Sequence, residues 1–159
     1  MIYSRNITKW GEACARHLGG EWQTYDVVGL GENHKLDEES DEIIKAHVKG
    51  GWKPTVTPCQ ARGERDRAGG AVIAARSNLQ AASYAHLAMH AQCRSTASGT
   101  KTPGGGPVNF LDFAALNVRT KYTQVTFIQV YMDPVVGKGG RDAIKMEHLG
   151  AFTKTLGHP

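Results

Sequence analysis

The sequence predicts a mixed α/β (α+β) fold in which strands and helices form separate layers. Three observations carry that expectation. Short apolar runs alternate with helix-patterned segments in the first half, strand-like segments dominate the second half, and one more apolar helical stripe closes the chain. The order is strand, helix, strand, helix, then mostly strands, then helix. That is too irregular for a repeating βαβ unit, so the sheet is expected to be mixed or antiparallel.

Each element follows from its own stretch. "NITKWGEACARHLGG" places Ile7, Trp10, Cys14 and Leu18 near one helical face, with Gly19 and Gly20 as the stop. "YDVVGLGE" reads as a short buried strand. "LDEESDEIIKAHVKGG" reads as a helix: acids crowd its first turns, where they suit the macrodipole, and Ile43, Ile44 and Val48 supply an apolar stripe. "WKPTVTP" is extended and interrupted by proline, "QARGERDRAGG" is a charged turn, and "GAVIAARSNL" is a strand. Residues 94–107, "RSTASGTKTPGGGP", read as a flexible exposed loop between strands. "VNFLDFAALNV" and "TQVTFIQVY" have the length and separation of an antiparallel pair. After "MDPVVGKGG" a last helix carries Met146, Leu149, Phe152 and Leu156 on one side.

Composition narrows the class. The 159 residues suffice for one domain, and 40% hydrophobic with 21% charged content is typical of a soluble globular chain. No apolar run approaches the ~20 residues of a membrane span, and "MIYSRNITKW" does not read as a signal peptide. An intracellular protein is therefore expected, and the acceptor pattern at Asn6 ("NIT") carries no weight as a glycosylation site. Cys14, Cys59 and Cys93 are odd in number and far apart, which supports neither a disulfide framework nor a zinc knuckle. A net charge of +4 permits a phosphate-bearing partner without requiring one.

Several motifs have plainer readings. Gly29-Leu30-Gly31 lacks the third small residue of a dinucleotide loop, since His34 stands there. "GKGG" at 137–140 lacks the spacing and the hydroxyl residue of a P-loop. His86 and His90 share a face on either a helix or a strand, but Cys93 is the only further ligand nearby, so surface histidines are expected. Arg62, Arg65 and Arg67 alternate with Glu64 and Asp66, which favours local charge pairing over phosphate contact. Glu32 is different. It stands where a buried strand gives out, in the crevice position where ligands bind, and a carboxylate there can hold a hard cation.

Four segments in order resemble the endonuclease/exonuclease/phosphatase superfamily, the fold of exonuclease III and deoxyribonuclease I. "YSRN" is similar to its early strand ending in asparagine, and "YDVVGLGENHK" to its D-(apolar)-x-x-x-Q-E-x-x. "GGAVIAARSNL" is similar to its glycine-led strand, and "VTFIQVYMDP" to its strand ending in (apolar)-Y-x-P. "KMEHLGAFTKTLGHP" resembles the helix before the family's G-D-F-N strand. The likeness spans nearly the whole chain and matches the family's N-terminal part. It implies the first portion of a two-sheet α/β sandwich with flanking helices and a metal-dependent phosphodiester hydrolase of nuclease or phosphatase type. Glu32 would ligate Mg2+ or Mn2+, Asn6 would help to arrange the metal and phosphate, and Tyr131 would touch the scissile phosphate. The substrate would be nucleic acid or another phosphodiester. Gly31 departs from the family's Gln, and an extra residue separates Tyr131 from Pro134.

The family's later G-D-x-N and S-D-H motifs have no counterpart in residues 1–159. The resemblance therefore implies a single, incomplete domain that turns over poorly by itself. It also implies a bare sheet face prone to self-association, because the absent segments would supply much of the second sheet. The alternative is a degenerate, non-catalytic α/β module that keeps only the scaffold or a binding surface.

Overall fold

The computed structural model describes residues 1–61, 67–84 and 113–131, together with Met146, Leu149, Gly150, Thr153, Lys154 and Leu156 near the C-terminus. Strand β1 (Ile2–Asn6) leads to helix α1 (Glu12–Gly19), a 3-10 turn (Glu21–Thr24) and β2 (Val27–Gly31). A second 3-10 turn (Asp37–Glu39) runs into α2 (Ser40–Lys49), followed by β3 (Trp52–Thr57). The two-residue strands β4 (Gln60–Ala61) and β5 (Arg67–Ala68) pair with each other. Then come β6 (Ala71–Arg76), β7 (Gln80–Ser83), β8 (Phe113–Arg119) and β9 (Gln124–Val130).

The larger strands form two sheets. One has the order β1-β2-β6-β3, with β1 parallel to β2 and the other pairs antiparallel; the second is an antiparallel β7-β8-β9. Successive side chains on a strand point to opposite faces. On β6, Val72 and Ala74 join a core with Leu18, Ile43 and Trp52, beneath α1 and α2. Ala71, Ile73 and Ala75 on the same strand face the other way and pack with Ala114, Leu116 and Val118 of β8. The remaining face of β8 carries Phe113 and Ala115, against which Leu149 and Leu156 pack. The layers are thus helix, sheet, sheet, helix, an α+β sandwich. Pro54 lies in β3, an edge strand, where its missing N–H costs no central ladder bond.

Three local expectations change. Helix α1 begins at Glu12, so Ile7 and Trp10 precede it, although Trp10, Cys14 and Leu18 are all buried. In α2 the buried residues are Ser40, Ile43 and His47, while Ile44 and Val48 face outward. Positions 40, 43 and 47 share a face at helical spacing, and a neutral imidazole can occupy an apolar stripe that hydropathy assigns to Val48. Met146, expected on the apolar side of the last helix, is exposed. The second sheet also needs correction. Strands β7, β8 and β9 supply a facing sheet within this chain, so among the described residues the apolar faces of the two sheets cover one another. Residues 94–107, Phe152, Pro134, and the His86, His90 and Arg62–Arg65 clusters lie outside the described residues.

Candidate functional site

One end of the sandwich collects the C-terminal ends of β1, β2, β3 and β9 and the N-terminal ends of β6 and β8. The β1–β2 register pairs Asn6 with Gly31, which puts Asn6 one residue from Glu32. β9 crosses over β2 at Gly29, where a Cβ would stand 2.2 Å from Gln129 Oε1. Only glycine allows that approach. Ser4 Oγ donates to Gln129 Oε1 at 2.8 Å and ties β9 to β1. Tyr131, two residues further along, is thereby carried to the end of β2.

The chain leaves β2 through an unusual turn. Thr8, Glu32 and His34 all have φ in the left-handed region, at 62°, 63° and 55°. Each such residue costs of order 1–3 kcal/mol, so surrounding contacts must hold it. The Glu32 N–H donates to Gly70 O at 2.8 Å, and the His34 N–H to Gly69 O at 3.4 Å. Between them Asn33 is fully buried. Its Nδ2 donates to Thr57 O at 3.0 Å, its Oδ1 accepts from the Lys35 N–H at 2.9 Å, and its carbonyl accepts from the Trp10 N–H at 2.9 Å. Asn33 thus binds the turn to β3 and to the entry of α1, and aims the flanking Glu32 and His34.

The Tyr131 hydroxyl donates to Glu32 Oε1 at 3.1 Å. His34 Nε2 faces the same oxygen at 3.5 Å, with the imidazole 24% and the carboxylate 20% exposed. That nitrogen is shielded from solvent and makes no hydrogen bond. Asn6 is exposed, and its Oδ1 accepts from the Thr8 N–H at 2.9 Å. Glu32, Tyr131 and Asn6 therefore sit at one end of the sandwich, with the first two in direct contact.

Charge is distributed around this end in closed pairs. Lys35 Nζ reaches Glu42 Oε2 at 2.6 Å, and Arg67 Nη1 binds Glu39 Oε2 and approaches His34 O at 3.4 Å. Arg67 thus pairs with a helix-entry acid. The Glu39 carboxyl is held below its usual range, first by the Leu36 N–H it accepts and then by the attraction of Arg67 and Lys35.

Glu32 offers hard oxygen, which suits a divalent cation, and a phenol and an imidazole stand beside it. Among the described residues no group of three or more His, Cys, Asp and Glu side chains is arranged to hold a metal ion. Asn33, His34 and Gly70 have structural weight that the motif reading did not assign. The signal available for the first two was their place directly behind Glu32 in "GENHK". Among the described residues no helix is long and apolar enough to cross a membrane.

No family model matches the sequence, and no curated protein matches it. Among solved structures, the fold is similar to the endonuclease domain of TRAS1, a telomere-specific non-LTR retrotransposon, with a TM-score of 0.56 at 14% identity. The match covers 96% of this chain and 53% of that one, so the chain spans about half the length of the structure whose fold it shares.

Proposed function

We propose that the chain carries the Glu32 half of a nuclease-type, divalent-cation-dependent phosphodiester hydrolase. The observation that carries the reading is the contact between Tyr131 and Glu32 at 3.1 Å, made at the end of the sheets in a fold shared with an endonuclease domain. Glu32 would hold Mg2+ or Mn2+, with Asn6 at the adjacent strand end helping to arrange it. A bound cation supplies charge stabilisation at phosphoryl oxygens. Tyr131 can turn its hydroxyl from Glu32 to a phosphate oxygen and orient the diester by donation. Nucleic acid is the substrate class proposed, by analogy with the fold neighbour and consistent with a net charge of +4.

Hydrolysis also needs a group that activates water and further charge stabilisation. One carboxylate binds Mg2+ weakly, with a Kd of roughly millimolar order. Residues 1–159 alone are therefore expected to show no cleavage above background. The same chain continued through G-D-x-N and S-D-H motifs should gain EDTA-sensitive activity, and Glu32→Gln should remove most of it. Plasmid nicking and model-diester assays on the three proteins test this. Strong EDTA-sensitive cleavage by residues 1–159 would relocate the catalytic groups, and full activity in the extended Glu32→Gln protein would eliminate Glu32 as ligand. A binding-only module is the second reading, favoured by the lack of a three-ligand cluster among the described residues. It predicts oligonucleotide binding by residues 1–159 that neither EDTA nor Glu32→Gln alters.

A further inference from the structure

The Glu32–His34 pair has a separation that a simple hydrogen bond does not explain. A charge-assisted N–H···O bond closes to about 2.7–2.9 Å. Here His34 Nε2 stands 3.5 Å from Glu32 Oε1. Two ligands that each lie about 2.1 Å from one tetrahedral ion stand about 3.4 Å apart. The observed spacing therefore suits a shared ion better than a direct bond.

Three further features agree. His34 Nε2 is shielded from solvent and makes no hydrogen bond, an arrangement that normally needs a partner. The His34 backbone is held at φ 55°, with its N–H on Gly69 O and its carbonyl facing Arg67, so the ring is aimed by the fold. Tyr131 meets Glu32 at the same Oε1 that faces the imidazole, so the carboxylate is oriented from a second direction.

We propose that Glu32 and His34 form one nitrogen–oxygen ligand pair, which selects a first-row transition ion such as Mn2+ over Mg2+. The proposal rests on Glu32 as the metal ligand and adds to it a nitrogen donor and the selectivity that follows. Imidazole is a good ligand for transition ions, whereas Mg2+ favours oxygen and retains its waters. The pair is incomplete without water, Tyr131 or phosphate oxygens, so the ion remains open to a ligand.

The test is titration of the full chain at pH 7.5 with Mn2+ and with Mg2+, together with electron spin-echo spectroscopy of the Mn2+ form. The spectrum reports a directly bound nitrogen and requires no catalytic activity. The variants are Glu32→Gln, His34→Asn and His34→Gly; Asn and Gly both tolerate the left-handed backbone, and circular dichroism checks their folds. The wild-type Mn2+ form should show modulation from one imidazole nitrogen. Both His34 variants should lose it and bind Mn2+ about tenfold more weakly, with Mg2+ binding nearly unchanged. Glu32→Gln should lose binding of both ions.

Mn2+ bound without nitrogen modulation, in a protein where Glu32→Gln still abolishes binding, would overturn the His34 role and leave Glu32 standing. Modulation that persists in both His34 variants would assign the nitrogen to another histidine and overturn the pair. Unaltered ion binding in Glu32→Gln would overturn both readings.

Discussion

Gly70 has φ +81°, and a Cβ there would stand 2.4 Å from Asn33 Oδ1. Gly70→Ala therefore combines the left-handed penalty with a displaced buried amide. The expected loss is about 2–4 kcal/mol, read from urea unfolding. His47 makes a second prediction. Its Nδ1 lies 2.8 Å from Ile43 O, its ring stacks on Trp10 at 5.1 Å, and its buried Nε2 has no hydrogen-bond partner. With Nδ1–H donating to Ile43, Nε2 is the bare lone pair of a neutral ring. Burial lowers its pKa from 6.5 to about 4, partly opposed by the Ile43 bond. The unfolded chain then binds the extra proton more readily, so the contribution is whole above pH 6.5 and is lost as pH falls through 4. The loss is at most about 3 kcal/mol. His47→Leu should flatten the acid limb of stability between those pH values, and unfolding midpoints measured against pH read it out.

At the scale of elements, α2 separates pattern from packing. Ile43 is fully buried and Val48 is 61% exposed. Ile43→Ala should cost about 2–5 kcal/mol and Val48→Lys within about 0.5 kcal/mol, compared by thermal unfolding. Both helices and strands β2, β3, β6, β8 and β9 were legible because their period and their glycine or proline boundaries agree. β7 was not, since "QAAS" has no β-branched or aromatic residue and pairs only because β8 lies beside it. The α2 face was misread because a buried imidazole counts as polar on any hydropathy scale. Glu32 was legible as a strand-end carboxylate. The part of Asn33 was not, because its bonds reach Thr57, on a strand 24 residues away. His34 depends likewise on a backbone conformation that residue type does not announce.

For the molecule as a whole, the two sheets are joined by an apolar interface and by Thr57 Oγ1, which donates to Phe113 O at 2.8 Å. Thr57 is buried, so Thr57→Val should leave that carbonyl short of a donor and cost about 1–3 kcal/mol in denaturant titration. Because β6 serves both cores, its amides and those of β8 should exchange hydrogen with a common opening free energy. Separate opening of the second sheet would appear as faster exchange confined to β8 and β9.

The hydrogen bond from Tyr131 to Glu32 joins residues 99 apart in sequence. Contacts of such separation are entropically late, because the intervening chain must be brought round before they contribute. The ion-binding end of the sandwich should thus be absent from the folding transition state. A bound cation would then act as a lock on the finished protein. At ten times its Kd it should slow unfolding about tenfold while leaving the refolding rate unchanged. Stopped-flow chevrons recorded with and without Mn2+ would show one limb moving and the other still.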